Sequence, residues 1–183
     1  MLSNKFLILS ILGILLISPS VAQAEKMHGL AMHGIPKYDK NFIHLSYVNP
    51  DAPKGGTLRF GSYGSFDNLN RVAFKGSKAS GLGYINDTLM RRVWDEAFTL
   101  YGLIAEYVDM PEDRSSITFF INPKARFHDD SPITRDDVLF SLHTFQTKGT
   151  PNQKKTYGKV VETQMIGDNG IKMIFVDNED KEL

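Results

Sequence analysis

The chain has 183 residues, and its 21 lysines and arginines balance its 21 aspartates and glutamates, so the formal net charge is zero. Hydrophobic residues make up 42% of the sequence and charged residues 23%, as in ordinary folded domains. This composition excludes a largely disordered chain and a multi-span membrane protein, and it gives no support to nucleic-acid binding. The sequence has no cysteine, which excludes disulfide bonds, a thiol nucleophile and a lipid-carrying cysteine.

The first 24 residues have the features of a bacterial signal peptide. Lys5 precedes an uncharged apolar run over residues 6–17, which is shorter than the roughly 20 residues of a membrane-spanning helix. Residues 22–24, Ala-Gln-Ala, match the small-x-small pattern that signal peptidases cleave. We therefore expect cleavage between Ala24 and Glu25 and export to the periplasm as a protein that is not a lipoprotein. An uncleaved N-terminal anchor is the alternative.

The region after the signal peptide begins with an extended lead-in, residues 25–56, in which glycine and proline interrupt weakly periodic sequence. Its aromatic side chains indicate that it packs against the rest of the protein. Alternation in residues 57–61, Thr-Leu-Arg-Phe-Gly, predicts the first strand, and a turn rich in glycine and serine follows at residues 62–65. Apolar residues at helical spacing predict a short helix over residues 84–94.

The second half of the chain contains two predicted antiparallel strand pairs. Residues 104–110 and 116–121 flank the turn-forming sequence Pro-Glu-Asp-Arg, which predicts the first pair. Residues 160–166 and 171–176 flank Gly-Asp-Asn-Gly at residues 167–170, which predicts a hairpin.

Between these two pairs the sequence predicts a helix that begins after Thr134. The Thr134 hydroxyl can accept a hydrogen bond from the amide of Asp137, and Asp136 and Asp137 place negative charge in the first turn. Glycine and proline within residues 148–151 are expected to end this helix.

Catalytic and cofactor-binding motifs are absent from the sequence. Residues 61–65, Gly-Ser-Tyr-Gly-Ser, have serine and glycine in the wrong register for a nucleophile elbow. Residues 81–83, Gly-Leu-Gly, lack the third glycine of a dinucleotide-binding loop, and residues 75–78 resemble a phosphate-binding loop only in composition. We therefore expect a protein that is not an enzyme and has no cofactor; a small exported enzyme is a minor alternative.

The other polar and aromatic candidates favour structural roles. Neighbouring carboxylates at residues 95–96, 129–130 and 136–137 point apart, so capping and turn formation are expected of them. Trp94 follows two arginines, and core or boundary packing is expected of it, with a stacking platform as the alternative. No metal site is expected, because the five histidines lack metal-ligand spacing; they are His28, His33, His44, His128 and His143.

Several separated segments resemble one family. Residues 49–59, Asn-Pro-Asp-Ala-Pro-Lys-Gly-Gly-Thr-Leu-Arg, and residues 65–70, Ser-Phe-Asp-Asn-Leu-Asn, resemble the opening of the extracellular solute-binding proteins of family 5. These proteins are the receptors of oligopeptide, dipeptide and nickel ABC importers. Residues 117–138 agree with the family in order and spacing, as do the shorter segments 87–90 and 103–106. The lead-in resembles the branch that serves microcin C and related peptides.

The resemblance implies a mixed α/β fold, namely part of a type II periplasmic-binding-protein fold. Family members are longer and have two lobes, so it also implies an N-terminal fragment. Residues 57–183 would form a partial first lobe, with the first strand of its core sheet and a small mixed subdomain over about residues 75–177. The implied function is the periplasmic oligopeptide-binding component of an ABC importer, with a membrane permease as partner. A non-functional remnant of a split or frameshifted gene, which binds nothing alone, is the alternative.

The resemblance also suggests ligand-binding residues and two local departures. Residues 62–70 are the part of the chain expected closest to the cleft, and Ser65, Phe66 and Asp67 are the expected ligand-proximal residues. The alternative for Asp67 is that it caps the following turn. Asp130 stands where the family has glycine, so a positive φ is expected there, and Arg135 stands where the family has a small residue.

Overall fold

A computed structural model describes residues 26–72 and 75–176 of the chain. Within these ranges, short strands form two antiparallel sheets, and two helices lie between strands of the larger sheet. The strands are β1 (Gly29–Ala31), β2 (Met90–Arg92), β3 (Thr99–Gly102), β4 (Ala105–Asp109), β5 (Ser116–Ile121), β6 (Val160–Ile166) and β7 (Gly170–Phe175). The helices are α1 (Arg135–Lys148) and α2 (Pro151–Tyr157), and a 3-10 turn covers Leu82–Tyr84. The expected mixed α/β class is confirmed.

The larger sheet has the strand order β4-β5-β7-β6 and carries most of the core. Side chains alternate across a strand, so Ile117 and Phe119 of β5 share a face with Met173 and Ile171, their partners on β7. Leu142 of α1 is buried against this face. Both strand pairs predicted in the second half of the chain are confirmed, as β4–β5 and β6–β7.

Helix α1 begins where the sequence predicts. Thr134 is its N-cap, and its hydroxyl accepts a hydrogen bond from the Asp137 amide while the Asp137 carboxylate accepts one from the Thr134 amide. Arg135, in the first turn, donates from Nη1 to the carbonyl of Gly167, at a distance of 2.7 Å. This bond fixes the start of the helix to the turn of the β6–β7 hairpin.

A second helix follows α1 directly, which the sequence interpretation missed. Thr150 caps α2 and forms a reciprocal pair of hydrogen bonds with Gln153, and Pro151 occupies the first helical position. The sequence predicts that Pro151 stops a helix, yet proline is also favoured at the first position of a helix, where the amide that it lacks would have no partner in any case. The same residues therefore end one helix and begin the next.

The smaller sheet has the order β1-β3-β2, and side chains of β1 and β2 pack against the core of the larger sheet. Leu30 of β1 is buried in the shared core. Just before β1, Met27 and Val108 of β4 exchange two backbone hydrogen bonds of 2.7 Å. The lead-in is therefore part of the folded unit from its first described residues.

Two predicted elements are wrong. Residues 57–61 have no strand partner in the described chain, so the expected first strand is an irregular, exposed segment. The helix expected over residues 84–94 is replaced by the 3-10 turn and β2, because Met90 and Arg92 pair with Gly102 and Leu100 of β3. Pairing with a strand that is remote in sequence outweighs a local helical pattern.

The signal peptide and its cleavage site between Ala24 and Glu25 lie outside the described residues, and they remain predictions. Among the residues that are described, no helix has the length and apolar character needed to cross a membrane.

Candidate functional site

The residues expected to lie near a ligand belong to a loop that closes on itself, residues 62–80, of which 73–74 are not described. At its base, the hydroxyl oxygens of Ser62 and Ser80 are 2.7 Å apart. Further in, Asn68 and Lys78 form an isolated parallel bridge, and the Ala79 amide donates to the Asn68 carbonyl. We call the described residues of this loop, 62–72 and 75–80, the closed loop.

Asp67 holds the two sides of the closed loop together. Its Oδ1 accepts a hydrogen bond of 2.9 Å from the Ser77 amide, and its own amide donates to the Ser77 carbonyl. Gly76 precedes Ser77 with φ 86°, and a Cβ there would collide with the Asp67 carboxylate. Glycine is therefore required at position 76 both for its backbone conformation and for the close approach of Asp67. The structure thus gives Asp67 a positioning role within the loop.

Ser65 and Phe66 lie beside Asp67 and are exposed. Phe66 is one of several large apolar side chains that neither the closed loop nor the rest of the described chain covers. These are Leu58 (78% exposed), Phe60 (76%), Tyr63 (fully exposed), Phe66 (58%) and Leu69 (67%). Exposed apolar side chains are typical of a contact surface where they form a contiguous patch. Contact of Ser65, Phe66 and Asp67 with a ligand remains a prediction.

Cations dominate the charge around this surface. The closed loop contains Arg71, Lys75 and Lys78 but only one acidic residue, Asp67. All three cationic side chains are exposed, and none of them is in an ion pair with another described residue.

A second polar cluster anchors the lead-in, and sequence reasoning missed it. Asp95 Oδ2 accepts hydrogen bonds from Lys37 Nζ at 2.5 Å, from the Tyr38 hydroxyl at 2.6 Å and from Ser46 Oγ at 2.7 Å. The Lys37 ammonium contributes most, followed by the Tyr38 and then the Ser46 hydroxyl, and together they hold the pKa of Asp95 far below its usual range. Asp95 therefore stays ionised and binds three residues of the lead-in. The expectation of a simple turn or capping role for this carboxylate is too narrow.

Glu96 and Tyr101 extend the cluster. The Tyr101 hydroxyl donates to Glu96 Oε2 at 2.5 Å and accepts from the Tyr38 amide at 3.0 Å. Burial, and next the hydrogen bond to Glu96, raise the pKa of Tyr101 to about 12. Phe42 and Tyr38 pack edge-on against the Tyr101 ring, with ring centres 5.6 and 5.7 Å away. We call these groups the lead-in clasp. They confirm the predicted docking for Tyr38 and Phe42, whereas Phe60, for which docking was also predicted, is exposed.

The other candidates do not form a site. His28 Nε2 is 2.7 Å from the Tyr38 carbonyl, which gives His28 a structural role in the clasp. Within the two described ranges, no group of three or more histidine, cysteine or acidic residues could hold a metal ion. The expectation that Trp94 packs in the core or at its boundary is wrong, because its side chain is 92% exposed. Nothing else in the described chain stacks on it.

Comparison with known proteins finds relatives that match most or all of the chain. No family model matches the chain. The "Peptidoglycan-binding protein YepA" of Agrobacterium fabrum strain C58 is 38% identical over 182 residues, which cover 95% of this chain and 30% of that protein. The chain is a relative of bacterial binding proteins. The "Probable peptide-binding protein YejA" of the same organism is 36% identical over the whole chain, again 30% of its own length.

A further relative, YejA of Escherichia coli K12, is 44% identical over 137 residues, or 74% of this chain and 23% of that protein. The chain thus spans about 30% or less of the length of these relatives.

Two solved structures have partial similarity. NikZ from Campylobacter jejuni in complex with Ni(L-His) matches 48% of this chain and 17% of its own, at 20% identity and a TM-score of 0.41. The solute-binding protein MoaA in complex with mannopinic acid, from Agrobacterium tumefaciens R10, matches 55% of this chain and 21% of its own, at 19% identity and a TM-score of 0.45.

Proposed function

We propose that the chain is the N-terminal part of a periplasmic solute-binding receptor of family 5, which delivers oligopeptides to the permease of an ABC importer. The proposal is carried by the 36% identity, over the whole chain, to a protein named as a probable peptide-binding protein. The relatives compared above include proteins named for binding peptides or peptidoglycan, and we assign this chain a non-enzymatic role. Its fold is assigned to the first lobe of the type II periplasmic-binding-protein fold, and its location to the periplasm after cleavage behind Ala24.

The geometry of the closed loop supports this role. Binding proteins of this kind enclose a ligand in a cleft between two lobes, and the lining combines apolar surface with a few polar groups. The closed loop presents exposed Phe66 beside a positioned Asp67. Residues 57–61 have the sequence pattern of a strand but no partner among the described residues, so a longer protein can supply both the partner strand and the second wall of the cleft.

A second function class remains open to the test. A ligand in such a cleft is buried between two walls, and this chain supplies only one of them. If that wall alone does not bind the ligand, the chain is a non-functional remnant, because the ligand would keep most of its surface in water.

The test is a thermal titration of the exported protein with a mixed tripeptide library. A ligand that binds the folded state stabilises it by RT ln(1 + [L]/Kd), so at ten times Kd we expect the melting temperature to rise by about 3–5 °C. Phe66→Ala should remove most of this rise. The matched control is Phe140→Ala, because Phe140 is also exposed but lies on α1. An unchanged melting temperature at every library concentration would support the hypothesis that the chain is a non-functional remnant. Equal effects of the two substitutions would show that the closed loop is not part of the binding site.

A further inference from the structure

We infer that the closed loop selects peptides that carry net negative charge, with Arg71, Lys75 and Lys78 supplying the attraction for the ligand's carboxylates. This inference rests on the proposed function and adds the chemical class of the solute.

The first observation is a local charge imbalance in a chain that is neutral overall. Between Pro53 and Ser80 the only acidic residue is Asp67. The same stretch contains five cations, which are Lys54, Arg59, Arg71, Lys75 and Lys78. The excess of positive charge therefore coincides with the stretch that also presents the exposed apolar side chains.

The second observation is that these cations are not used within the fold. All five side chains are exposed, and none forms an ion pair with any acidic residue in the described parts of the chain. Elsewhere, by contrast, Lys37 pairs with Asp95 and Arg91 pairs with Asp87. The positive charges of the stretch are therefore available to a ligand.

The third observation concerns where the loop places its charges. The Asn68 side chain donates from Nδ2 to the Lys75 carbonyl at 3.0 Å, and Asn68 also bridges to Lys78. The backbone of both lysines is thereby held beside Asn68, the neighbour of Asp67, although the lysines are about ten residues away in sequence. The Asp67 carboxylate accepts a hydrogen bond from the Ser77 amide, so this single negative charge stabilises the conformation of the loop.

A peptide that stacks an apolar side chain on Phe66 would bring its carboxylates close to these lysines. A single exposed ion pair is weak, but several pairs together separate an anionic from a neutral peptide by about fivefold to tenfold in affinity. Because exposed charges are screened, this preference should weaken as salt is added.

The experiment measures amide chemical shifts of the isotopically labelled protein during titration with three tripeptides, Ala-Glu-Ala, Ala-Gln-Ala and Ala-Lys-Ala. This readout detects weak binding and reports its location. We expect Ala-Glu-Ala to shift amides of the closed loop with an affinity about fivefold or more above that of Ala-Gln-Ala, and Ala-Lys-Ala to bind most weakly. Raising sodium chloride should reduce the difference between the first two peptides.

A matched pair of double variants tests the assignment of the charges. Lys75→Gln with Lys78→Gln should lower the affinity for Ala-Glu-Ala about fivefold and that for Ala-Gln-Ala, which has one carboxylate fewer, by a smaller factor, so that the ratio of the two affinities falls. Lys154→Gln with Lys155→Gln removes the same charge from exposed positions on α2 and should change neither affinity. The amide spectrum of each variant verifies its fold.

Each contrary result has a separate meaning. Equal binding of the Glu and Gln peptides at the closed loop would overturn the charge preference and leave the peptide-binding proposal in place. Equal losses in the two double variants would show a general charge effect and would also overturn the inference. Absence of shifts with all three peptides would overturn the inference together with peptide binding by this chain.

Discussion

Asp130 adopts a left-handed backbone conformation, with φ 65°, in the turn that leads to α1. The turn is closed by hydrogen bonds from the Asp130 amide to the Phe127 carbonyl and from the Phe127 amide to the Ser131 carbonyl. Aspartate tolerates this conformation better than most residues, but glycine adopts it without a steric penalty. The positive φ expected from the resemblance is therefore observed.

We predict that Asp130→Gly increases the free energy of unfolding by about 0.5 kcal/mol, measured by urea denaturation, because the relief of strain slightly exceeds the extra chain entropy of glycine. The matched control is Asp129→Gly. The Asp129 carboxylate accepts hydrogen bonds from the hydroxyl and the amide of Ser131, so its loss should destabilise the protein. A destabilised Asp130→Gly variant would show that the Asp130 side chain matters more than its backbone conformation.

Asp95 is the residue through which pH should affect the lead-in. Its hydrogen bonds from Lys37, and next from Tyr38, favour the ionised carboxylate in the folded state and keep its pKa far below the usual value of about 4. For a carboxyl group with a lowered pKa, the stabilisation is complete above the unfolded-state pKa and is lost progressively as the pH falls below it. The lead-in clasp should thus be insensitive to pH between 5 and 8 and weaken below about pH 4.

We predict that Asp95→Asn lowers the melting temperature by a few degrees at pH 7, and that the difference from the unmodified protein shrinks as the pH falls from about 4 to 2. Calorimetry across this pH range checks both parts. Asp39→Asn serves as the control within the same lead-in, because Asp39 accepts a local bond from the Asn41 amide and lies outside the clasp. A pH-independent difference for Asp95→Asn would show that the clasp does not depend on the charge of Asp95.

Helix α1 shows how far a local signal can determine an element. Thr134 and Asp137 satisfy each other's backbone groups, and the pattern of apolar residues places Leu142 in the core. The side chains that form the cap lie within four consecutive residues, so the sequence predicts the cap. The end of α1 is harder to predict from the sequence, because Thr150 and Pro151 begin a new helix at once.

We predict that Thr134→Ala lowers the free energy of unfolding by about 1 kcal/mol, since two cap hydrogen bonds are lost. Thr134→Ser should restore most of the stability because serine also caps helices well. Denaturation in urea measures both variants. If serine fails to rescue, the methyl group of Thr134 must contribute more than its hydroxyl.

At the scale of the whole molecule, the described chain combines a well-formed core with an uncovered flank. The core joins both sheets through Leu30, Val108 and Ile171, all of them buried. The flank is the stretch from Leu58 to Leu69, whose large apolar side chains are exposed. The relatives are more than three times as long as the matched region, which leaves ample chain to cover this flank in the receptor that we propose.

The contrast between the core and the flank also explains the wrong predictions. A strand needs a partner for its backbone groups, and no described segment provides one for residues 57–61. Conversely, residues 90–92 become a strand because β3 lies beside them. Short strands such as β1 and β3 have too few residues to show a periodic pattern, so sequence alone missed both.

Elements that are closed by neighbouring residues could be predicted from the amino-acid sequence. It predicted the cap of α1, the β4–β5 pair and the β6–β7 hairpin, because caps and turns are closed by groups only a few positions apart. Contacts between segments that are distant in sequence became evident only in the folded chain. The bond from Tyr38 to Asp95 spans 57 residues, and the approach of Lys78 to Asn68 depends on a glycine that admits the Asp67 carboxylate. Such contacts join segments that are distant in sequence and meet only in the folded chain, so the local sequence pattern does not predict them.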